Sequence, residues 1–289
     1  MSGRFAAFAV SALLFAGSWL PAQAGFAADA SVAGTDATVQ PPPAASLGPL
    51  IYIRQTLNNC GPSSVAEVLD YWGIHKSQGE VQSVLRADGN RGGMSPFGIP
   101  GYARGLGMSA LIGAGGNDTV IKTLVANGFP VIVSQWVSLT DHYGHYRPIE
   151  AYDDQKGVFI SSDPYLGPNH AIGYSEFDQI WATANQRFYV IYPPARQAQL
   201  TALLASTGWD PTSSYLADVA IQQARLNRGV NAPAGWSFRR GYSALSLAWD
   251  NLQLGNIAAA QRAVDFAAAQ GASPIVTGWI TSEIRLRAA

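Results

Sequence analysis

The stretch Arg54-Gln55-Thr56-Leu57-Asn58-Asn59-Cys60-Gly61-Pro62-Ser63-Ser64 carries the only cysteine of the chain. Cys60 stands where an apolar helical pattern begins. Val65, Val68, Leu69 and Trp72 follow at spacings of three and four, marking one buried helix face, and Gly73 fits the stop. Pro62 suits the first helical turn. A thiol at a helix start meets unpaired backbone N–H groups and the positive end of the helix dipole, both of which favour thiolate. Gln55, five residues upstream, can offer a side-chain N–H to an oxyanion. A lone cysteine also suits a small buried apolar filler, but these neighbours favour a nucleophile.

Outward from this stretch, Val81, Val84 and Leu85 suggest a second short helix. Residues 88–118 are glycine-rich and read as loops, with Gly113-Ala114-Gly115-Gly116 as a turn lacking the lysine and serine of a phosphate loop. Val120, Leu124 and Val125 predict a helix over 119–127. Strand-like runs follow at 129–136, 145–152, 157–162 and 187–192, and Ser175 with Asp178 suggests a short helix through Trp181. Helices followed by an antiparallel set of strands give an α+β domain over 50–196. From residue 197 to 289 the chain turns rich in alanine and leucine and reads as a small all-α region. There, two amphipathic segments around Gly255-Asn256 loosely resemble one tetratricopeptide hairpin.

At the other end, Arg4, the apolar run Phe5–Leu20 and the small residues Ala22 and Ala24 fit a cleavable export signal over 1–24. Residues 25–49, with Pro41-Pro42-Pro43, read as a disordered linker. The expected location is therefore outside a bacterial cytoplasm, periplasmic or secreted, with no stable membrane span once the signal is removed. The chain has 18 basic and 19 acidic residues; loss of Arg4 leaves 17 against 19, a formal −2. No basic stretch supports nucleic-acid binding.

A cysteine nucleophile needs a base and a third group that orients it. Of the four histidines, His75 follows the Gly73 stop and reads as a surface residue, and His170 lies in a turn-rich segment. His142 sits in a loop, as a rim residue or a substrate contact. His145 opens a strand, where backbone pairing holds it firmly, and is the better base. No further His or Cys cluster completes a metal site, so no metal or cofactor is expected. Asp163, in Ser161-Ser162-Asp163-Pro164-Tyr165, ends the next strand, which a hairpin turning near Asp154–Gly157 brings beside His145. Asp153 and Asp154 fall in that turn and are weaker candidates.

Gln55 to Pro62, His145-Tyr146 and Asp163-Pro164-Tyr165 resemble the bacteriocin-processing, double-glycine leader peptidase family and its stand-alone relatives over residues 50–194. That resemblance implies a papain-like fold, with a Cys-bearing helix packed on an antiparallel sheet. It implies Cys60 as nucleophile, His145 as general base and acid, Asp163 as orienting carboxylate and Gln55 as oxyanion donor. The strand Tyr146–Asp153 departs from the pattern at Pro148, which lacks a ladder N–H, and at Ala151, where the family has glycine. The expected activity is hydrolysis of an amide bond in a peptide or protein through a Cys-His-Asp triad and an acyl-enzyme. The alternative is a non-catalytic peptide or cell-wall binding module whose helical tail docks a protein partner.

Overall fold

The computed structural model describes residues 40–86, 92–228 and 240–289. The expected export signal and the linker up to residue 39 lie outside the described residues. Residues 40–289 belong to one compact unit.

Its frame is an antiparallel sheet of seven strands: β1 (Ala44–Ser46), β2 (Ser109–Gly113), β3 (Val131–Trp136), β4 (Gly144–Asp153), β5 (Val158–Asp163), β6 (Gly167–Gly173) and β7 (Phe188–Tyr192). The order is β2-β7-β3-β4-β5-β6, with β1 added to β4. Helices α1 (Cys60–Tyr71), α2 (Gln78–Leu85) and α3 (Ile99–Gly105) precede most of the sheet. Then α4 (Asp118–Ala126) and α5 (Tyr174–Ala182) are interleaved with it. Helices α6 (Gln197–Ser206), α7 (Pro211–Arg228), α8 (Arg240–Gln253), α9 (Ile257–Ala269) and α10 (Pro274–Ala288) follow it. No helix among the described residues is long and apolar enough to cross a membrane.

Two apolar clusters cover the two faces of the sheet. Along β7, Tyr189 and Ile191 enter the cluster formed with α1 and α8–α10, while Phe188, Val190 and Tyr192 enter the one formed with α4 and α5. This alternation follows from the two-residue period of a strand. Because both faces are covered, β3 and β7 read as continuous apolar runs rather than alternating ones.

Residues 40–49 are not a free linker. Ala44–Ser46 pair with Asp153–Ala151, the Leu47 N–H donates to the Glu150 carbonyl, and the Tyr152 hydroxyl donates to Pro42 O at 2.7 Å. A strand held by backbone bonds needs little apolar side chain, so Ala- and Pro-rich composition conceals it. The same reason hides β2 within the glycine-rich span 88–118, and β6 with His170 in the turn-rich segment. Both are end strands of the sheet path. Pro148 sits inside β4 opposite Ile132, beside a β-bulge between Ile149 and Ala151. There the Ser161 hydroxyl donates to the Pro148 carbonyl at 2.8 Å, so the ladder is already irregular where proline stands.

Candidate active site

Cys60 is the first residue of α1. The chain enters the helix through Asn58, whose φ of 58° is left-handed. Asn59 makes no side-chain cap bond to the helix; its fully buried side chain points elsewhere. Its amide donates to Thr56 Oγ1 at 2.8 Å, Gln78 Oε1 at 3.1 Å and Gln82 Oε1 at 2.7 Å. Its carbonyl accepts from Arg86 Nη1 at 2.6 Å, and the same guanidinium nitrogen donates to Leu57 O at 3.1 Å. Residues 56–59 are thus tied to α2 from below, which fixes the approach to Cys60.

The link to the sheet comes one turn later. Ser64 shares a helix face with Cys60, and its hydroxyl donates to the carbonyl of Tyr146 at 3.1 Å. Tyr146 follows His145 in β4, so this bond sets the helix start against the imidazole. The His145 ring hydrogen-bonds the Cys60 sulfur. Its Nε2 lies 3.0 Å from Asp163 Oδ1, which leaves Nδ1 as the ring nitrogen facing the thiol. Cys60, His145 and Asp163 are 8%, 2% and 0% exposed, so this chain of contacts is buried.

Asp163 closes β5 and is held from several sides. Its Oδ1 also accepts the N–H groups of Tyr165 and Leu166, each at 2.8 Å. Its Oδ2 lies 3.1 Å from Arg147 Nε, an ion pair off the line of a hydrogen bond. The carbonyl of the next residue, Pro164, accepts the Gln55 N–H at 2.9 Å. Gln55 borders the same cleft as Cys60 and His145, and its side-chain carbonyl oxygen is buried without a partner. All four residues singled out in the sequence therefore meet at one place. His142 does not join them: it stacks on Trp136 with ring centroids 3.8 Å apart. His75 pairs with Asp70, and His170 lies on β6 opposite Ser161.

Electrostatics favour charge separation here. Burial pushes the Cys60 thiol up, but the hydrogen bond and charge of His145 and the N–H groups of Tyr146 and Gly61 bring it below its ordinary value. Burial pushes the His145 imidazole down, yet Asp163 and the Cys60 sulfur raise it on balance. Burial also opposes ionisation of Asp163, and His145 and Arg147 overcome it, holding the carboxyl well below the usual range. A thiolate–imidazolium pair oriented by a carboxylate is the arrangement that activates a cysteine nucleophile.

Residues 49–188 match the model of the Peptidase_C39 like family. That segment, just under half of the chain, is similar to that family. The similarity is to a peptidase family, as the resemblance in the sequence implied. Solved structures similar to it include a double glycine motif protease from an AMS/PCAT transporter in complex with the leader peptide. That match has 19% identity and a TM-score of 0.40 over 54% of this chain and 99% of that one. A C39-like peptidase from Bacillus anthracis matches at 16% identity and TM-score 0.42, over 51% and 96% of the two chains. The peptidase domain of Streptococcus ComA, a bifunctional ABC transporter, matches at 17% and 0.38, over 50% and 98%. No curated protein matches the chain.

Three supporting residues were not singled out in the sequence. Arg147 lies two residues after His145, hence on the same strand face. Ser64 and Glu67 lie four and seven residues after Cys60, hence on one helix face. Glu67 is fully buried. Its Oε1 accepts the Ile53 N–H at 2.8 Å, and its Oε2 faces the Ser162 hydroxyl without a well-aligned bond. Burial pushes its carboxyl up to about 9.

Proposed function

We propose that this protein is an exported cysteine peptidase that hydrolyses an amide bond of a peptide through Cys60, His145 and Asp163. The observation that carries the reading is the buried contact chain from the Cys60 sulfur through the His145 ring to Asp163 Oδ1. The Cys60 thiolate attacks the carbonyl carbon of the scissile bond. The oxyanion takes hydrogen bonds from the Cys60 backbone N–H and the Gln55 side-chain amide, each such donor being worth about 3–4 kcal/mol. The His145 imidazolium gives its proton from Nδ1 to the leaving amine, and the C–N bond breaks. Water then loses a proton to Nδ1 and attacks the thioester. The acid product leaves, and the sulfur returns as thiolate beside the imidazolium. Throughout, Asp163 keeps Nε2 protonated and the ring in register. Export rests on the sequence pattern of residues 1–24.

The test is cleavage of a peptide library by the wild type and by Cys60→Ala, read by mass spectrometry. Cuts present only with the wild type support the reading. Equal cleavage by both, or none by either, would refute it.

A further inference from the structure

A cleft of about 1280 Å³ runs past Cys60 and His145, and its far side is not built by the family-matching segment. Tyr242 and Leu245 of α8, Ala272 and Ser273 of the α9–α10 turn, and Val276 of α10 line it. We infer that α8–α10 form a fixed wall of the substrate cleft that selects a peptide with an uncharged, apolar side chain beside the scissile bond. The inference rests on the peptidase reading and adds to it the part of the chain that sets preference.

The wall is rigid for three independent reasons. Phe97, on the approach to α3, packs against both Tyr242 and Trp249 of α8, with ring centroids 5.9 Å apart in each case. Gly98 has no room for a side chain: a Cβ there would come within 2.9 Å of Leu85 of α2 and of Trp279 of α10. Thus α10 rests directly on the backbone before α3. Arg187, just before β7, is fully buried against two acidic side chains, Asp218 of α7 and Asp250 of α8. Detaching the helices would part Arg187 from Asp218 and leave its charge stranded in an apolar interior. Nothing in these contacts resembles a hinge.

The chemistry of the wall decides the preference. Among the described residues lining the cleft, the charged ones besides the Cys60–His145 pair are Arg54 and Asp141, both from segments of the family-matching domain. The helical side presents a phenol ring, two branched aliphatic chains, the neutral Gln270 amide and small residues. Leu245 and Val276 are 5% exposed, so each shows the cleft an edge of aliphatic surface, and a substrate side chain resting on it leaves water there. An apolar side chain gains from that transfer, whereas a carboxylate or ammonium loses hydration with no opposite charge on the wall to replace it.

The experiment uses the whole protein and three peptidyl chloromethyl ketones that differ in one residue next to the reactive carbon: leucyl, aspartyl and lysyl. Labelling rates are divided by the iodoacetamide rate of the same variant, which cancels changes in thiol reactivity. The wild type should prefer the leucyl reagent at least tenfold. Ser273→Asp keeps a residue suited to the N-cap of α10 and puts a carboxylate on the wall. It should cut the leucyl-to-lysyl ratio at least fivefold. Ala272→Phe, which narrows the cleft without charge, should slow the leucyl reagent while leaving the aspartyl-to-lysyl ratio within twofold. Equal rates for the three reagents in the wild type, or a ratio unmoved in a folded Ser273→Asp, overturn the wall alone. Absence of Cys60-dependent labelling by every reagent, iodoacetamide included, overturns the peptidase reading and the wall together.

Discussion

Replacing Glu67 by glutamine should make the protein more stable above neutral pH, and by an amount that grows with pH. In the fold Glu67 is sealed beneath the active site, and burial raises its carboxyl from an ordinary 4.5 to about 9. The folded state therefore keeps a proton that the unfolded chain releases between those two values. Stability falls as pH rises wherever the folded state binds more protons. The loss starts near pH 4.5, deepens by about 1.4 kcal/mol per unit, and levels off above about pH 9. At pH 7 the carboxyl costs about 3 kcal/mol relative to acid conditions. Glutamine has nearly the same shape. Its oxygen can accept the Ile53 N–H that Glu67 Oε1 now accepts at 2.8 Å, and its amide can face Ser162. Urea unfolding of both proteins from pH 4.5 to 9 checks this, because their difference removes every other titrating group. The two should agree within about 1 kcal/mol at pH 4.5 and diverge to about 3 kcal/mol at pH 7. Parallel curves over the whole range would mean that Glu67 is ionised in the fold and that the reasoning is wrong.

Other expectations follow from the same contacts. The rate of Cys60 alkylation should rise with pH about a midpoint below the free-thiol value of about 8.5; in His145→Ala, where burial acts unopposed by the imidazolium, the midpoint should move above it. Arg147→Met leaves Asp163 Oδ2 without its cation and should lower unfolding free energy by about 3–5 kcal/mol, measured by denaturant melts. Arg187→Met should cost a similar amount, about 3–5 kcal/mol. Asp250→Asn should cost less than about 1 kcal/mol at neutral pH, because burial and the neighbouring Asp218 keep the Asp250 carboxyl protonated. A large loss in Asp250→Asn would show that both carboxylates are ionised.

The elements that bury a regular apolar face were legible in the sequence. The period from Val65 to Trp72 gave α1, the run 129–136 gave β3, and the turn at Asp154–Gly157 placed Asp163 beside His145. What stayed hidden was held by backbone or by polar contact rather than by apolar pattern. Ala44–Ser46 and Gly167–Gly173 carry few large apolar residues, so the paired backbone that makes them strands leaves no trace in composition. Arg147, Ser64 and Glu67 could have been found from their spacing to His145 and Cys60. But a charged residue inside a strand or helix reads as solvent-facing until its partner is known, and the partners lie far along the chain. The helical wall of the cleft was out of reach for the same reason. Nothing in Gly241–Val276 indicates by itself that it faces Cys60.

The depth of this site makes its charge balance the condition for its chemistry. A buried thiolate and imidazolium cancel, and Asp163 cancels Arg147, so the four groups form an alternating chain of zero net charge. Two more acids stand near it. Glu67 lies close enough to Asp163 and to Glu150 to feel the charge of each. Were Glu67 ionised, a further negative charge with no cation of its own would stand near Asp163. Burial instead raises both carboxyls, Glu67 to about 9. Each keeps a structural task that suits an acceptor: Glu67 takes the Ile53 N–H and Glu150 the Leu50 N–H at 2.8 Å. These two bonds anchor the segment that leads into Gln55 and Cys60. The acids thus hold the approach to the nucleophile in place, and the proton on Glu67 keeps its charge out of the pocket. A change that forced Glu67 to ionise, such as Ser162→Lys on the facing strand, would disturb both at once, whereas Glu67→Gln would leave thiolate formation intact.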